Sequence, residues 1–226
     1  MTLSAWIFAA LTLLAYLGGI KLVKIMGWHS LPALIPALAA LMLTVGLLPV
    51  TYEQYMEGGQ LIAVWLAPAT VALGLALYRQ RQVLIRHLRP VLLASGAGTV
   101  TALFSTVALC HLFNIDLDFS APLLLKSVTT PVALSIAETI GAVPALAVIM
   151  VVMAGTLGGA GGLSLLTILR VKSPVARGLA MGTASHVLGT ATVLKESETS
   201  AAVGSVALIL AGIFTALLAP WLVQLL

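Results

Sequence analysis

The sequence predicts an all-α, polytopic membrane protein, and three observations carry that prediction. The chain of 226 residues is 61% hydrophobic and only 8% charged, with a mean hydropathy of +1.14; a soluble domain needs far more charge on its surface. Apolar runs near the ~20 residues that a bilayer core requires recur along nearly the whole chain. None of these runs alternates apolar and polar residues as the strands of a membrane barrel do. The formal charge is +4. The basic residues stand in short clusters between apolar runs, as topology signals do, and form no patch for nucleic acid. A single cysteine, Cys110, excludes an intrachain disulfide. The N-terminus lacks a basic leader, so the first apolar run is expected to be a span rather than a cleaved signal.

Taken in chain order, the early spans are about 3–20, 30–50, 60–78 and 90–112, and two later ones lie at about 143–169 and 200–223. Segments 120–142 and 178–198 are apolar but interrupted. Charge sets the orientation. Lys21 and Lys24 follow the first span, and Arg79, Arg81, Arg86 and Arg89 follow the third. These loops are expected to be cytoplasmic. Glu53, Glu57, Asp116 and Asp118 then fall outside, as do both chain termini. Trp6, Trp28, Tyr52, Tyr55, Tyr78 and Trp221 stand near span ends, as interfacial belts do. The loop "RVKSPVARG" brings Arg170, Lys172 and Arg177 and should also be cytoplasmic. The 143–169 span then runs from outside to inside, so 120–142 must dip in from the outside and return. By the same logic 178–198 dips from the inside. This gives six transmembrane helices and two re-entrant hairpins, and it puts ten of the eleven Lys and Arg residues on the cytoplasmic side. The alternative lets both segments cross as broken helices. It has eight spans and places Arg170, Lys172 and Arg177 outside.

The exception to the charge rule is Lys126, in "KSVTTPVALSIAE" at 126–138. A hairpin over 120–142 has arms of about ten residues, or roughly 15 Å, which reach the bilayer midplane. Its tip is "SVTTP". Thr130 reads as an N-cap and Pro131 as the first helical residue, which would aim free N–H groups and a positive dipole end at the protein centre. Backbone that is not helical at this depth must be buried in protein or line a wet cavity. A proline-kinked helix whose Lys126 and Glu138 reach opposite interfaces is the plainer reading of the same residues.

The second dip, "GLAMGTASHVLGTATVLKE" at 178–196, has a similar plan, with Ser185 as the cap of its second arm. Shifted by 55 residues, Thr130-Pro131-Val132 falls on Ser185-His186-Val187. The two halves therefore read as an inverted repeat, an arrangement that builds midplane sites in many transporters. His186 is an ionisable group deep in an apolar setting, which marks a functional candidate, although a histidine that only hydrogen-bonds a neighbouring helix fits as well. Ser185 and His186 have no acidic partner to complete a hydrolase triad. Glu138 is either a proton carrier or an interfacial residue. "GTLGGAGG" at 155–162 lacks the strand and lysine of a phosphate loop and is expected to serve close packing or a flexible break. No Cys/His cluster has metal-ligand spacing, and no paired carboxylates suggest hydrolysis.

"LKSVTTPVA" at 125–133 and "RGLAMGTASHVLGTA" at 177–191, preceded by "SPVARG", resemble the signature segments of the LrgB/CidB family of membrane proteins. The likeness covers roughly 120–224. Val187 stands where that family often has a glycine after the histidine. The resemblance implies a bacterial inner-membrane protein of the antiholin-like class, regulating murein hydrolase activity and lysis beside a small LrgA/CidA-like partner. It also implies kinship with plastid glycolate/glycerate carriers and with bacterial relatives tied to pyruvate. The site read from the residues agrees with such cargo: one lysine, two helix N-termini and a ring of hydroxyls suit a small carboxylate with a hydroxyl or keto oxygen.

The expectation is therefore a carrier of small monocarboxylates, not an enzyme, with no cofactor, no metal and no nucleic-acid partner, working in the bilayer as a homo-oligomer, with a dimer favoured. Lys126 would counter the carboxylate. Ser127, Thr129, Thr130, Pro131, Thr183, Ser185, His186 and Thr190 would complete the binding site, with His186 and Glu138 as candidates for proton coupling. One transmembrane domain spans 1–226. Within it 1–78 is read as a scaffold and oligomerisation half, 88–198 as the inverted-repeat core and 199–226 as the last span. The alternative function is that of an antiholin-like regulator acting with a holin-like partner and needing no substrate.

Overall fold

The computed structural model describes residues 3–27, 33–65, 68, 71, 78, 81–86 and 88–226. Among these residues the only regular structure is helical. The chain forms two compact units that divide between Ala69 and Thr70.

The first unit holds α1 (Leu3–Ile25), α2 (Leu34–Leu47) and α3 (Tyr52–Ala63). Both later helices pack on α1, and small residues make that possible. A methyl group at Gly58 would lie 2.7 Å from the Ala5 carbonyl oxygen, and one at Gly19 would lie 3.2 Å from the Ala37 methyl. Close backbone approach of this kind is how helices associate where no hydrophobic drive separates them from lipid. Tyr55 adds a 2.8 Å hydrogen bond to Thr12 and an edge-on contact with the Phe8 ring. Two expectations are corrected here. The third span was expected to start near residue 60, yet α3 starts at Tyr52. The Thr51 hydroxyl accepts from Gln54 N, and the Gln54 side chain accepts from Thr51 N, which is a complete capping box. That box nucleates a helix where acidic loop residues were read. The second helix is also shorter than the expected 30–50, at 14 residues or about 21 Å. Most of the expected 60–78 span lies outside the described residues.

The second unit holds α4 (Arg81–Arg86), α5 (Leu88–Leu112), α6 (Leu117–Leu124), α7 (Thr130–Ile140), α8 (Pro144–Ile168), α9 (Pro174–Leu194) and α10 (Glu198–Leu222). Helices α5, α8 and α10 have 25 residues each, about 37 Å at 1.5 Å per residue. With α1, they are the four helices among the described residues that are long and apolar enough to cross a bilayer. The protein is a helical membrane protein.

Contacts order the ends of these helices. His111 in the last turn of α5 hydrogen-bonds the Leu225 carbonyl, and Ala147 of α8 shares a core with Ala219 and Leu222 of α10. The C-terminal ends of α5 and α10 and the N-terminal end of α8 therefore lie together. At the opposite end Val91, Leu179 and Val203 share a second core. Short links at 113–116 and 141–143 tie α6 to the end of α5 and α7 to the start of α8, so 117–140 begins and ends on one side. Helix α7 lies mainly on α8 and only slightly on α6; the arms are splayed rather than packed as a closed pair.

Helix α9 also turns back. Its run is broken at Ser185 (φ −129°, ψ 15°) and His186 (φ 42°, ψ −132°). Arg177 in its first turn pairs with Glu196 beyond its last turn at 2.9 Å, whereas a straight helix would hold positions 19 residues apart about 28 Å from each other. The break rests on the glycine run of α8. A methyl at Gly155 would meet the His186 ring at 2.5–2.6 Å, one at Gly158 would coincide with the Ser185 hydroxyl, and one at Gly162 would meet Met181 Sδ at 2.5 Å. The run is a packing surface, as expected for one of its two readings.

Candidate functional site

The site is built on α5. Ser95, Thr99 and Thr106 form a buried hydroxyl stripe on that helix, and Thr99 returns its proton to the Ser95 carbonyl at 2.8 Å. Against this face comes the break between α6 and α7. Pro122 sits inside α6, which ends at Leu124, and Thr129, in extended conformation (φ −77°, ψ 153°), starts α7. The N-cap is thus Thr129 rather than Thr130. Thr130 and Pro131 are the first two helical residues, where a proline removes no needed N–H. The Thr129 side chain makes no capping bond; its hydroxyl is buried without a partner.

Between the two short helices Lys126 extends its ammonium to α5, donating to the Thr106 hydroxyl and, at 3.4 Å, to the Ala102 carbonyl. Ala102 lies ten residues from the end of α5, about 15 Å along its axis. Lys126 therefore holds its charge at mid-depth on α5 and does not reach back to an end, so the snorkelling reading does not describe it. One turn away, a methyl at Gly98 would lie 3.1 Å from the Thr183 methyl. The first break and the first arm of α9 thus meet on the same stretch of α5. Between them opens a cavity of about 570 Å³ whose polar lining comprises Ser105, Lys126, Ser127 and Thr183. Lys126 is the one charged group among its described lining residues.

Three expected site residues, Lys126, Ser127 and Thr183, come together there. The others stand apart from it. Ser185 is packed into the notch at Gly158. His186 is buried, and its Nε2 lies 2.9 Å from the Val151 carbonyl oxygen. A carbonyl can only accept, so Nε2 carries the proton in this arrangement. Thr190 donates to the His186 carbonyl at 2.9 Å and borders a smaller cavity of about 300 Å³ beside Val187 and Leu208. Thr129 is buried, and Thr130 and Pro131 are half-buried at the start of α7. Glu138 is exposed, two turns further along α7, about 12 Å from Thr130. Among the described residues no cluster of His, Cys, Asp and Glu could hold a metal ion.

Sequence reading missed the α5 side of the site: Gly98, Ala102, Ser105 and Thr106. A signal was present. "SGAGTVTALFST" at 95–106 places hydroxyls at 95, 99 and 106, a helical stripe that a span facing lipid on all sides has no use for.

A model of the LrgB-like family matches residues 12–225. The chain belongs to the LrgB-like family. Both breaks and the α5 stripe fall inside the matched region, so the family assignment covers the whole candidate site. This LrgB-like chain is 38% identical over 224 residues to uncharacterized protein YxaC of Bacillus subtilis (strain 168), covering 98% of this chain and 96% of that one. It is 32% identical over 214 residues to uncharacterized protein YwbG of the same strain, with 95% of each covered. It is also 32% identical over 188 residues to antiholin-like protein LrgB of Bacillus cereus (strain B4264), with 82% of each covered. No solved structure matches this chain.

Proposed function

We propose that this LrgB-like protein carries small monocarboxylates of the glycolate, glycerate, pyruvate or lactate type across a bacterial inner membrane. The observation that carries the reading is the Lys126 ammonium, held at mid-depth on α5 beside the hydroxyls of Ser127 and Thr183 in one cavity. A charge in that position costs about 2.5–3.5 kcal/mol on insertion scales, and a bound anion offsets the cost. In this reading 117–140 and 174–194 are re-entrant hairpins entering from opposite sides and related as an inverted repeat, and access alternates as they move. The positive charges of Arg170, Lys172 and Arg177 put the base of the second hairpin in the cytoplasm and both chain termini outside. His186 is the candidate for proton coupling, since it alone among the proposed groups titrates near neutrality when unperturbed. Glu138, exposed on α7 and apart from the cavity, is the second candidate for proton coupling. The protein does no chemistry on its cargo and works as a homo-oligomer.

The test is uptake of labelled glycolate, pyruvate and lactate into liposomes containing this chain alone, with and without a pH gradient. Saturable uptake that Lys126→Ala abolishes is the expected result. No uptake by folded protein would remove the carrier reading.

A second reading is favoured by the name of the Bacillus cereus relatives, antiholin-like protein LrgB. In it the chain regulates murein hydrolase activity and lysis by assembling with a small holin-like partner, and needs no substrate. Lysis control that survives Lys126→Ala, in a strain carrying that partner, would support it over transport.

A further inference from the structure

The cavity is much larger than the acids named above, and its wall is not polar all round. About 570 Å³ is room for on the order of nineteen waters at ~30 Å³ each, whereas pyruvate has only six non-hydrogen atoms. The polar groups sit at the break and beside it. The remaining wall is hydrocarbon, and nearly all of it comes from the smallest side chains: Ala94, Gly98 and Ala102 on α5 face Ala176, Leu179 and Ala180 on α9. Ala94, Gly98 and Ala102 recur at every fourth residue, as do Ala176 and Ala180, so each set forms one stripe. Two facing stripes without bulk leave a slot that begins at Lys126 and continues away from it as apolar surface. A two- or three-carbon acid anchored at Lys126 leaves that slot holding water against hydrocarbon, which is unfavourable in proportion to the apolar area left wet.

We infer that the site selects monocarboxylates with a branched apolar tail, such as 2-oxo or 2-hydroxy acids of about five to six carbons, over two- and three-carbon acids. This inference rests on the carrier reading and shifts its preferred cargo from two- and three-carbon acids to longer, branched ones. One cation and no anion in the described lining also disfavour dicarboxylates, whose second charge would go unpaired, and amino acids, whose ammonium would find no counter-charge. Each methylene transferred from water to the slot strengthens binding about fourfold.

The experiment measures affinities of purified, detergent-solubilised protein for pyruvate, 2-oxobutyrate, 3-methyl-2-oxobutyrate, 4-methyl-2-oxopentanoate and octanoate. The wild type, Ala180→Leu, Ala94→Leu and Lys126→Ala are compared, with melting temperature as the check on folding. Affinity should rise about fourfold per added carbon from pyruvate, on the order of 60-fold by 4-methyl-2-oxopentanoate, and should fall again at octanoate. Filling either stripe with leucine should collapse the ratio between 4-methyl-2-oxopentanoate and pyruvate towards one. Ala94 is exposed in the unit, so Ala94→Leu keeps the test decisive if Ala180→Leu fails to fold. A flat series, or pyruvate as the tightest ligand, would overturn the inference and leave the carrier reading standing. Octanoate as the tightest ligand would overturn it too, because the slot would then be a lipid-chain groove. If no acid binds, or Lys126→Ala binds them all as the wild type does, the carrier reading itself falls.

Discussion

Lys126 is the charged residue among the described lining of the cavity and stands in an otherwise uncharged stretch. A lysine in an apolar stretch has two outlets, an interface or an internal partner, and here the partners are Thr106 and the Ala102 carbonyl. Neither partner carries charge, so the ammonium stays available to an anion. Lys126→Ala should lower carboxylate affinity by roughly ten- to 150-fold, the worth of a charge-assisted hydrogen bond, with little change in melting temperature. Lys126→Arg should recover only part of the affinity, because a planar fork does not fit a pocket shaped by one hydroxyl and one carbonyl. Equal affinity in the three proteins would take Lys126 out of the site. His186 is the second informative residue. It adopts φ 42°, ψ −132°, which side chains avoid and glycine tolerates, at a cost of order 1–3 kcal/mol. The bond to Val151 and the fit against Gly155 offset that cost. His186→Ala loses the bond and keeps the strain, whereas His186→Gly loses both. The glycine variant should therefore be more stable than the alanine variant by about 1 kcal/mol; detergent denaturation compares them, and an alanine variant as stable as the glycine one would mean the turn is not strained. The sequence shows why this histidine is special in kind, as a lone ionisable group among small residues. It does not show the left-handed backbone, because that arises from the turn that Ser185 and His186 make together.

At the scale of elements, the second break is held by glycines rather than by bulk. Gly178 and Gly182 of α9 abut the carbonyls of Ser200 and Gly204 of α10, and Gly158 of α8 leaves room for Ser185. Such contacts let two backbones touch and gain dispersion where lipid offers no hydrophobic drive. Gly158→Leu or Gly182→Leu should prevent the folded protein from accumulating. Gly161, with open space around its Cα, makes the control: Gly161→Ala should be neutral or stabilise by about 0.5–1 kcal/mol through helix propensity. Size-exclusion profiles and melting temperatures of the three variants decide it, and a well-behaved Gly158→Leu would show that the notch is not needed. The interruptions at 120–142 and 178–198 were legible because an ionisable residue stands beside clustered hydroxyls in each, Lys126 before "SVTTP" and His186 after "GTAS". The register was less so: Thr129 holds the N-cap position of α7 in place of Thr130, a one-residue shift that two adjacent threonines cannot disclose. The start of α3 was missed for another reason. Thr51 and Gln54 form a capping box, and its short-range signal was outweighed by the acidic residues around it. The α5 stripe was missed because its three buried hydroxyls are spread over 95–106, among two exposed ones and the alanines and leucines of a long apolar span.

For the whole molecule, the distribution of charge sets which way the second unit should face. Arg170, Lys172 and Lys195 are exposed at the end where α9 starts and finishes, and Arg177 ties that end together through Glu196 and the carbonyls of Leu163 and Val171. The opposite end carries Asp116 and Asp118 next to the α5 terminus. Basic loops are retained in the cytoplasm, so the first end should face inward. Three exposed positions report on this in a Cys110→Ala background, where the native thiol, buried at 3% exposure, has been removed. Phe113→Cys lies at the acidic end, Lys172→Cys at the loop before α9, and Thr199→Cys at the start of α10. An impermeant thiol reagent on intact cells should label Phe113→Cys alone, and permeabilised cells should add both others. An eight-span chain predicts a different pattern, with Lys172→Cys labelled from outside and Thr199→Cys protected, because α9 would then lie between them as a crossing. The ion pair between Arg177 and Glu196 cannot form across a bilayer, so labelling of Lys172→Cys without Thr199→Cys would break the link between this structure and the membrane-embedded protein. Labelling of both from outside, with Phe113→Cys protected, would keep the fold and invert it, and would place Lys126 on a hairpin entered from the cytoplasm.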